Sequence, residues 1–370
     1  MSTKPIYLDY AATTPVDPEV VAAMLPILTK VFGNPSSKDH LYGREAMEAV
    51  EHAREQVAEI ANASPSWVVF TSGGTESNNL AIRGIVNAGD HLVVSAIEHS
   101  SIIDTAKRLE SGGVRVTYVS PDAEGRVHPE VLAEAIEEDT ALVSVMFANN
   151  ELGTINPIDM ISELCRDRGV LLHSDAAQAV GKVPVDASAV DLLTMTGHKI
   201  YAPKGVGALI VKQEVPLSPK ITGGGAERSR RGGTLNSASI VGFGKACELC
   251  QENSHDEAEK LRDKLEQQLM SELSGVTLNG CMEHRLPNIT SVRFDNLGPD
   301  FAPSAISKVA CSAGSACGSG EGIQSHVLHA IGLSSSQAAS TIRLSTGRMT
   351  TPEEIDIAAA AIISAVQHCR

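Results

Sequence analysis

Between residues 67 and 211, short runs of β-branched and aliphatic residues alternate with longer stretches of helical periodicity. The apolar runs at 68–71, 91–95, 115–119, 141–146, 169–174, 192–196 and 206–211 read as strands. Segments 100–110, 129–137 and 157–168 between them read as helices. This alternation predicts a mostly parallel sheet flanked by helices, because parallel neighbours need a long crossover that packs back on the sheet. Residues 200–205 are too few for a crossover, so the last pair is expected to be an antiparallel hairpin. After residue 211 the pattern changes. A loop reading GGGAERSRRGGT leads into polar helical runs at 237–252 and 256–273, strand signals at 289–294 and 341–344, and a final helix at 352–367. The expected fold class is therefore α/β, a large domain with a smaller α+β domain at the C-terminal end.

Composition narrows the function classes. A chain of 370 residues is too long for one small core and suits two domains. Aromatic residues make up 3%, which argues against the stacking platforms of single-strand nucleic-acid binders. The net charge of −15 repels phosphate backbones and anionic membranes over most of the surface, so neither direct nucleic-acid binding nor membrane association is expected. Seven scattered cysteines do not form a disulfide framework, and no run reaches membrane-spanning length. The N-terminus has no apolar signal core. A soluble protein of a reduced, cytoplasmic compartment is expected.

Five stretches carry candidate chemistry. Thr71-Ser-Gly-Gly-Thr-Glu-Ser77 lies between a strand and a helix, where glycines admit a ligand and free N–H groups attract phosphate; a plain turn explains it equally well. Asp175 closes a buried strand at the edge where ligands of open sheets gather, and could pair with a protonated ring nitrogen or simply cap the next turn. Lys199 follows a buried strand, where desolvation frees an amine for Schiff-base chemistry; Lys204 reads as a solvated lysine. Cys317 sits in a run of Gly, Ser and Ala with no bulky neighbour, the setting of a reachable thiol, whereas Cys311 and the helical pair Cys247 and Cys250 read as structural. Arg343, on a short strand, suits either carboxylate capture or a structural ion pair. The arginines at 228, 230 and 231 suit a phosphate, a partner or a carboxylate. No His or Cys spacing matches a metal site, so no metal is expected.

Taken in order, YLDYAATTP (7–15), FGNPSS (32–37), TSGGTESNN (71–79), EHSS (98–101), NNELGTIN (149–156), HSDAAQAVGK (173–182), GHKIYAPKGVGAL (197–209), RRGGTL (230–235), GSACGSG (314–320) and IRLSTGR (342–348) cover nearly the whole chain. The set resembles the cysteine desulfurases of the class V aminotransferase group. These are enzymes of pyridoxal-phosphate fold type I that feed sulfur to iron–sulfur clusters and to thiolated nucleic acids. The resemblance implies an N-terminal segment, 1–20, packing with the small domain, a large cofactor domain at 21–236 and a small domain at 237–370 carrying the cysteine loop. It implies that Lys199 carries pyridoxal 5'-phosphate covalently, that Asp175 pairs with the pyridine nitrogen and that Gln178 meets the phenolic oxygen. His99 would stack on the ring and act in proton transfer. Gly74, Thr75, Thr196 and His198 would hold the phosphate, with Thr234 reaching it from the second subunit of a homodimer. Asn150 would contact cofactor or substrate, Arg343 and Asn34 would hold the substrate carboxylate, and Cys317 would take the sulfur of L-cysteine as a persulfide, releasing L-alanine.

Gly322-Ile-Gln-Ser325 stands where many iron–sulfur-type members have an acidic-proline step, and the chain ends at Arg370 without the scaffold-docking extension of some members. A sulfur-acceptor protein is expected. Iron–sulfur assembly, tRNA thiolation and DNA phosphorothioation all remain open as its pathway. Two other classes compete: a lyase that releases sulfide or selenium without a persulfide, and a non-catalytic partner-binding protein of the same fold.

Overall fold

The computed structural model describes residues 4–252, 256–297, 301–313 and 325–370. The chain runs through β1 (Ile6–Tyr7), α1 (Pro18–Thr29), α2 (Leu41–Glu59), β2 (Val68–Thr71), α3 (Gly74–Ile85), β3 (His91–Ser95), α4 (Ser100–Glu110), β4 (Arg115–Val119), α5 (Pro129–Ala135) and β5 (Thr140–Ser144). It continues through α6 (Ile158–Arg168), β6 (Leu171–Asp175), β7 (Leu192–Thr196), β8 (Gly207–Val211), α7 (Ser237–Glu252) and α8 (Asp256–Glu272). The remainder forms β9 (Val276–Asn279), β10 (Ile289–Phe294), β11 (Val309–Ala310), α9 (His326–Ala330), α10 (Ser335–Ala339), β12 (Thr341–Ser345) and α11 (Pro352–His368). Among the described residues no helix is long and apolar enough to cross a membrane.

The seven expected strands assemble into one sheet of order β2-β8-β7-β6-β5-β3-β4. Strands β4, β3, β5, β6 and β7 are mutually parallel. The short connection at 200–205 does make a hairpin, and β8 pairs antiparallel with both β7 and β2. From β3 the chain moves outward to β4, and from β5 it moves the other way to β6. The order therefore reverses between β3 and β5, which opens a crevice at their C-terminal ends. His99 follows β3 and Asn150 follows β5, so both stand at that crevice.

The inner strands are buried because helices cover both faces, whereas the edge strand β4 is partly exposed. Val93, Val143, Leu193 and Ile210 face one core, and Val94, Leu142, Leu192 and Leu209 face a second apolar cluster beneath α3 and α4. A separate core lies under the sheet β12-β10-β9, built from Leu261, Leu265 and Leu269 of α8 and Ile355, Ile362 and Val366 of α11. Leu8 belongs to this third core, and β1 pairs parallel with β11. Residue Asp9 bridges to Ser345 at the end of β12. The chain then crosses to the large sheet, where Thr14 donates to the backbone oxygen of His198. The N-terminal segment thus ties the two halves together beside the crevice.

The Gly/Arg-rich loop has an unusual backbone. Glu227, Arg228 and Ser229 have φ of 47°, 55° and 64°, three successive non-glycine residues in the left-handed region. That conformation costs roughly 1–2 kcal/mol per residue. A buried ion pair holds it: Arg54 Nη2 lies 2.8 Å from Glu227 Oε1, Nη1 lies 2.9 Å from Oε2, and the Phe70 N–H donates to Oε2 at 2.7 Å. Both side chains are at most 3% exposed. Replacing one partner strands the other charge in the core, which costs about 3–5 kcal/mol. Arg54→Met is expected to lower the unfolding free energy, measured by denaturant titration, by an amount of that order; a value equal to wild type would show that Glu227 finds another partner.

Candidate active site

A cavity of about 580 Å³ opens at the crevice. Its wall brings together Gly74, Thr75, His99, Asn150, Asp175, Gln178, Thr196, His198, Lys199 and Arg343. A smaller cavity of about 370 Å³ adjoins it and shares Gly74, Thr75, Thr196 and His198. Two of the expected residues lie elsewhere. Asn34 is exposed and its Oδ1 accepts the Ser36 N–H, and Thr234 is exposed outside both cavity walls. Cys317 lies outside the described residues.

The smaller cavity sits over the start of α3. Gly73 is the cap residue, with φ of 147° and no side chain to satisfy the first N–H groups. Those groups and the partial positive charge of the helix end make an anion site. Gly207 makes the close approach possible: a Cβ there would fall 2.7 Å from the Met195 oxygen and 2.8 Å from Gly73 Cα. His198 beside it is held neutral, its ring pushed down to about 4 by burial first and by Lys199 next.

Asp175 ends β6 at 5% exposure, as a buried carboxylate. Its Oδ1 accepts the Ala177 N–H at 2.9 Å and its Oδ2 accepts Asn78 Nδ2 at 2.7 Å. Lys199 follows β7 on a single 3₁₀ turn, and its ammonium donates to the backbone oxygens of Ala11 and Ala12. Arg343 is 1% exposed, and of its two sequence readings the ion pair is the one present. It lines the cavity, yet Nη2 pairs with Asp9 Oδ1 at 2.7 Å and Nη1 donates to the Asn150 oxygen at 2.9 Å.

Gln178 Oε1 and Thr196 Oγ1 are buried without a hydrogen-bond partner among the described residues. Buried polar atoms are rarely left so, and a polar ligand in the cavity would satisfy both. A phosphate fits the glycine-rich helix start, a cationic ring nitrogen fits Asp175, and an aldehyde fits an amine such as Lys199. The donor set therefore fits pyridoxal phosphate.

Several residues of the wall were not singled out from the sequence. Asn78 stands one helical turn after Gly74, so it faces the same side of α3. Glu98 is fully buried, accepts the Met146 N–H at 2.6 Å through Oε1 and has no hydrogen-bond partner for Oε2 among the described residues. Burial pushes its carboxyl well above the usual carboxylate range, with Asp175 adding to the effect. Glu151 is also raised by burial, and Ser325 donates to its Oε2 at 2.5 Å. Burial disfavours the thiolate at three cysteines outside the site, pushing the Cys247 and Cys250 thiols up and raising Cys311 to about 12. Two of the loop arginines have partners within the fold: Arg231 pairs with the Glu76 carboxylate and Arg230 donates to the Val211 oxygen.

Comparison with known proteins agrees with this geometry. Residues 6–357 match the class V aminotransferase family model. A cysteine desulfurase IscS of Shewanella sp. strain MR-4 is 45% identical over 379 residues, covering 99% of this chain and 94% of that protein. The solved structure of a NifS-like protein superposes with a TM-score of 0.90 at 35% identity, covering 98% of this chain and 100% of the other. That of SspA in complex with cysteine superposes with a TM-score of 0.83 at 37% identity, covering 92% and 98%.

Glu98 makes stability depend on pH. Above the ordinary carboxylate range the unfolded chain releases a proton that the folded chain keeps. Stability then falls as pH rises, by up to about 1.4 kcal/mol per pH unit from this group. Glu98→Gln cannot ionise, so its unfolding midpoint is expected to exceed that of wild type by a margin that widens from pH 5 to pH 8. Parallel midpoint curves for the two proteins would mean that Glu98 is ionised in the fold.

Proposed function

The chain belongs to the class V aminotransferase family and is a cysteine desulfurase, and on that premise we propose how its own residues divide the work. The observation that carries the assignment is the meeting of Lys199, Asp175 and Arg343 in one cavity, from three separate elements of the fold. Pyridoxal phosphate, held by Lys199 and by the Gly74 helix start, would supply an electron sink that weakens the C–S bond of the bound amino acid.

The remaining tasks fall to the protein. Gly74 and Thr75 at the start of α3 would bind phosphate, with Thr196 offering its unpartnered hydroxyl and His198 a neutral ring. Asp175 would present a fixed negative charge to a ring N–H, and the Gln178 Oε1 would accept from a hydroxyl. Lys199 Nζ would move the proton at the substrate carbon, and His99 would stack on the ring and serve as a second proton carrier. Asn150 and Arg343 would orient L-cysteine. Arg343 is already held by Asp9, which fixes the planar guanidinium before substrate arrives and reduces the ordering cost of binding. Cys317 would take the sulfur as a persulfide, releasing L-alanine, and pass it to an acceptor protein. A net charge of −15 supports a protein acceptor over direct contact with nucleic acid, and the free described cysteines support a reduced, cytoplasmic setting. The separate apolar cores support a division into a large and a small domain, with the N-terminal segment packed on the small one at Leu8 and on the large one at Ala11.

A homodimer accounts for the two residues that stand apart from their own cavity. Thr234 and Asn34 are exposed, and Asn34 adjoins an apolar stripe. Val21, Leu25 and Leu28 recur at helical spacing on α1, at 51%, 57% and 61% exposure, and Phe32 beyond its end is 68% exposed. A second copy covering this stripe would bring Asn34 and Thr234 toward a neighbour's site.

Purified protein loaded with pyridoxal phosphate is expected to be yellow and to make alanine and sulfide from L-cysteine in the presence of a thiol. Cys317→Ala should stay yellow and lose that turnover, whereas Lys199→Ala should lose both. Undiminished turnover by Cys317→Ala would refute the persulfide route. Light scattering should give about twice the chain mass of 38.9 kDa, and the monomer mass would refute the shared site.

A further inference from the structure

His99 is half-buried in the cavity wall, directly before α4. Its ring could carry the neutral proton on either nitrogen, and which one decides what the ring can give or take. The surrounding hydrogen bonds answer this. The Ser101 backbone N–H donates to His99 Nδ1 at 3.1 Å. A backbone amide can only donate, so Nδ1 is an acceptor. By itself this would be an ordinary helix cap.

A second chain of bonds goes beyond capping. Ser101 Oγ lies 2.8 Å from the same Nδ1. Asn78 Nδ2 lies 2.9 Å from Ser101 Oγ and 2.7 Å from Asp175 Oδ2. A carboxylate only accepts, so the side of the Asn78 amide that faces Asp175 must be the NH₂ group. Its oxygen there would oppose the carboxylate oxygen. The same NH₂ group then gives its other proton to Ser101 Oγ. Nδ1 already accepts the Ser101 backbone N–H and so carries no proton to give, which leaves the Ser101 hydroxyl as the donor of its contact with Nδ1. The full sequence is Asp175 carboxylate, Asn78 amide, Ser101 hydroxyl and His99 imidazole, with every proton pointing in a determined direction. Asn78 is 1% and Ser101 8% exposed, so water does not replace these bonds.

We infer that Asn78 and Ser101 are positioning residues that hold neutral His99 with its proton on Nε2, locking the ring's tautomer to the same Asp175 that faces the cofactor position. His99 then exchanges a proton with substrate through Nε2 alone. The inference rests on the proposed proton-transfer role of His99, but the tautomer itself can be measured without turnover.

The test uses full-length protein with ¹⁵N-labelled histidine, cofactor-free and loaded, with the His99 signals assigned by their loss in His99→Gln. Two-bond proton–nitrogen correlation at neutral pH should show an unprotonated Nδ1 and a protonated Nε2. In Ser101→Ala the Nδ1 resonance should move toward that of a nitrogen without its hydroxyl donor, and kcat should fall on the order of tenfold with KM little changed, a part of the 10²–10⁴-fold that a positioned proton carrier supplies. Ser101→Thr, which keeps the hydroxyl, should restore both. A wild-type ring protonated on Nδ1, or His99 resonances unmoved by Ser101→Ala, would overturn the inference. Full turnover by His99→Gln with the expected tautomer would instead refute the proton-transfer role and leave the tautomer assignment standing.

Discussion

A carboxylate removed from water must be met by donors or by positive charge, and Asp175 imposes that condition on the whole site. It ends β6 in the middle of the sheet, where helices exclude solvent on both faces. Two donors reach it from the protein, one from its own turn and one from Asn78 on α3. Through Asn78 the same charge directs Ser101 and then His99. The position of α3 against the sheet, the start of α4 and the crevice between β3 and β5 are therefore coupled through one buried anion. A cationic ring nitrogen in the cavity would be the third partner, and the strongest one electrostatically in so dry a place.

The N-terminal segment is the second organising element. It leaves the third core at Leu8, passes Asp9 to Arg343, and offers the Ala11 and Ala12 oxygens to Lys199 before Thr14 joins the turn that carries His198. A single strand of chain thus positions the amine that would hold the cofactor and the guanidinium that would hold the substrate. The two are kept in register even though they belong to different sheets. The Gly/Arg-rich loop shows the same economy on the opposite side. Three residues in a costly backbone conformation persist because Arg54 pairs with Glu227, and Arg230 and Arg231 of the loop are turned to a backbone carbonyl and to Glu76.

Much of the large sheet was legible along the chain. Burial on both faces produces continuous apolar runs, and four of the seven expected strands coincide with the observed ones, the others shifting by one or two residues at an end. Helices α1 and α2 precede the region of clear alternation and went unassigned. The buried face of α2 is built largely from Gly43, Ala46, Ala53 and Ala58, small residues that give a weak apolar signal. Strands β9 and β11 were also missed, being short and partly exposed. Lys199, Asp175 and the Gly74 turn were legible because each combines an unusual residue with a strand end. Arg343 was equivocal from its sequence and proves to be both ion-paired and part of the cavity.

By itself the sequence determined the order and type of most elements, the hairpin at 200–205, and the candidate residues whose chemistry is unusual for their local setting. These are properties of neighbours along the chain, encoded by periodicity and turn chemistry. Only the tertiary structure decided which polar groups meet. Asn78 and Asp175 are 97 positions apart, Arg54 and Glu227 are 173 apart, and Asp9 and Arg343 are 334 apart. No local pattern records such pairings. A side chain's partner, and with it the tautomer of His99, the protonation of Glu98 and the orientation of Arg343, is set by burial and by which donors the packed elements happen to leave within about 3 Å.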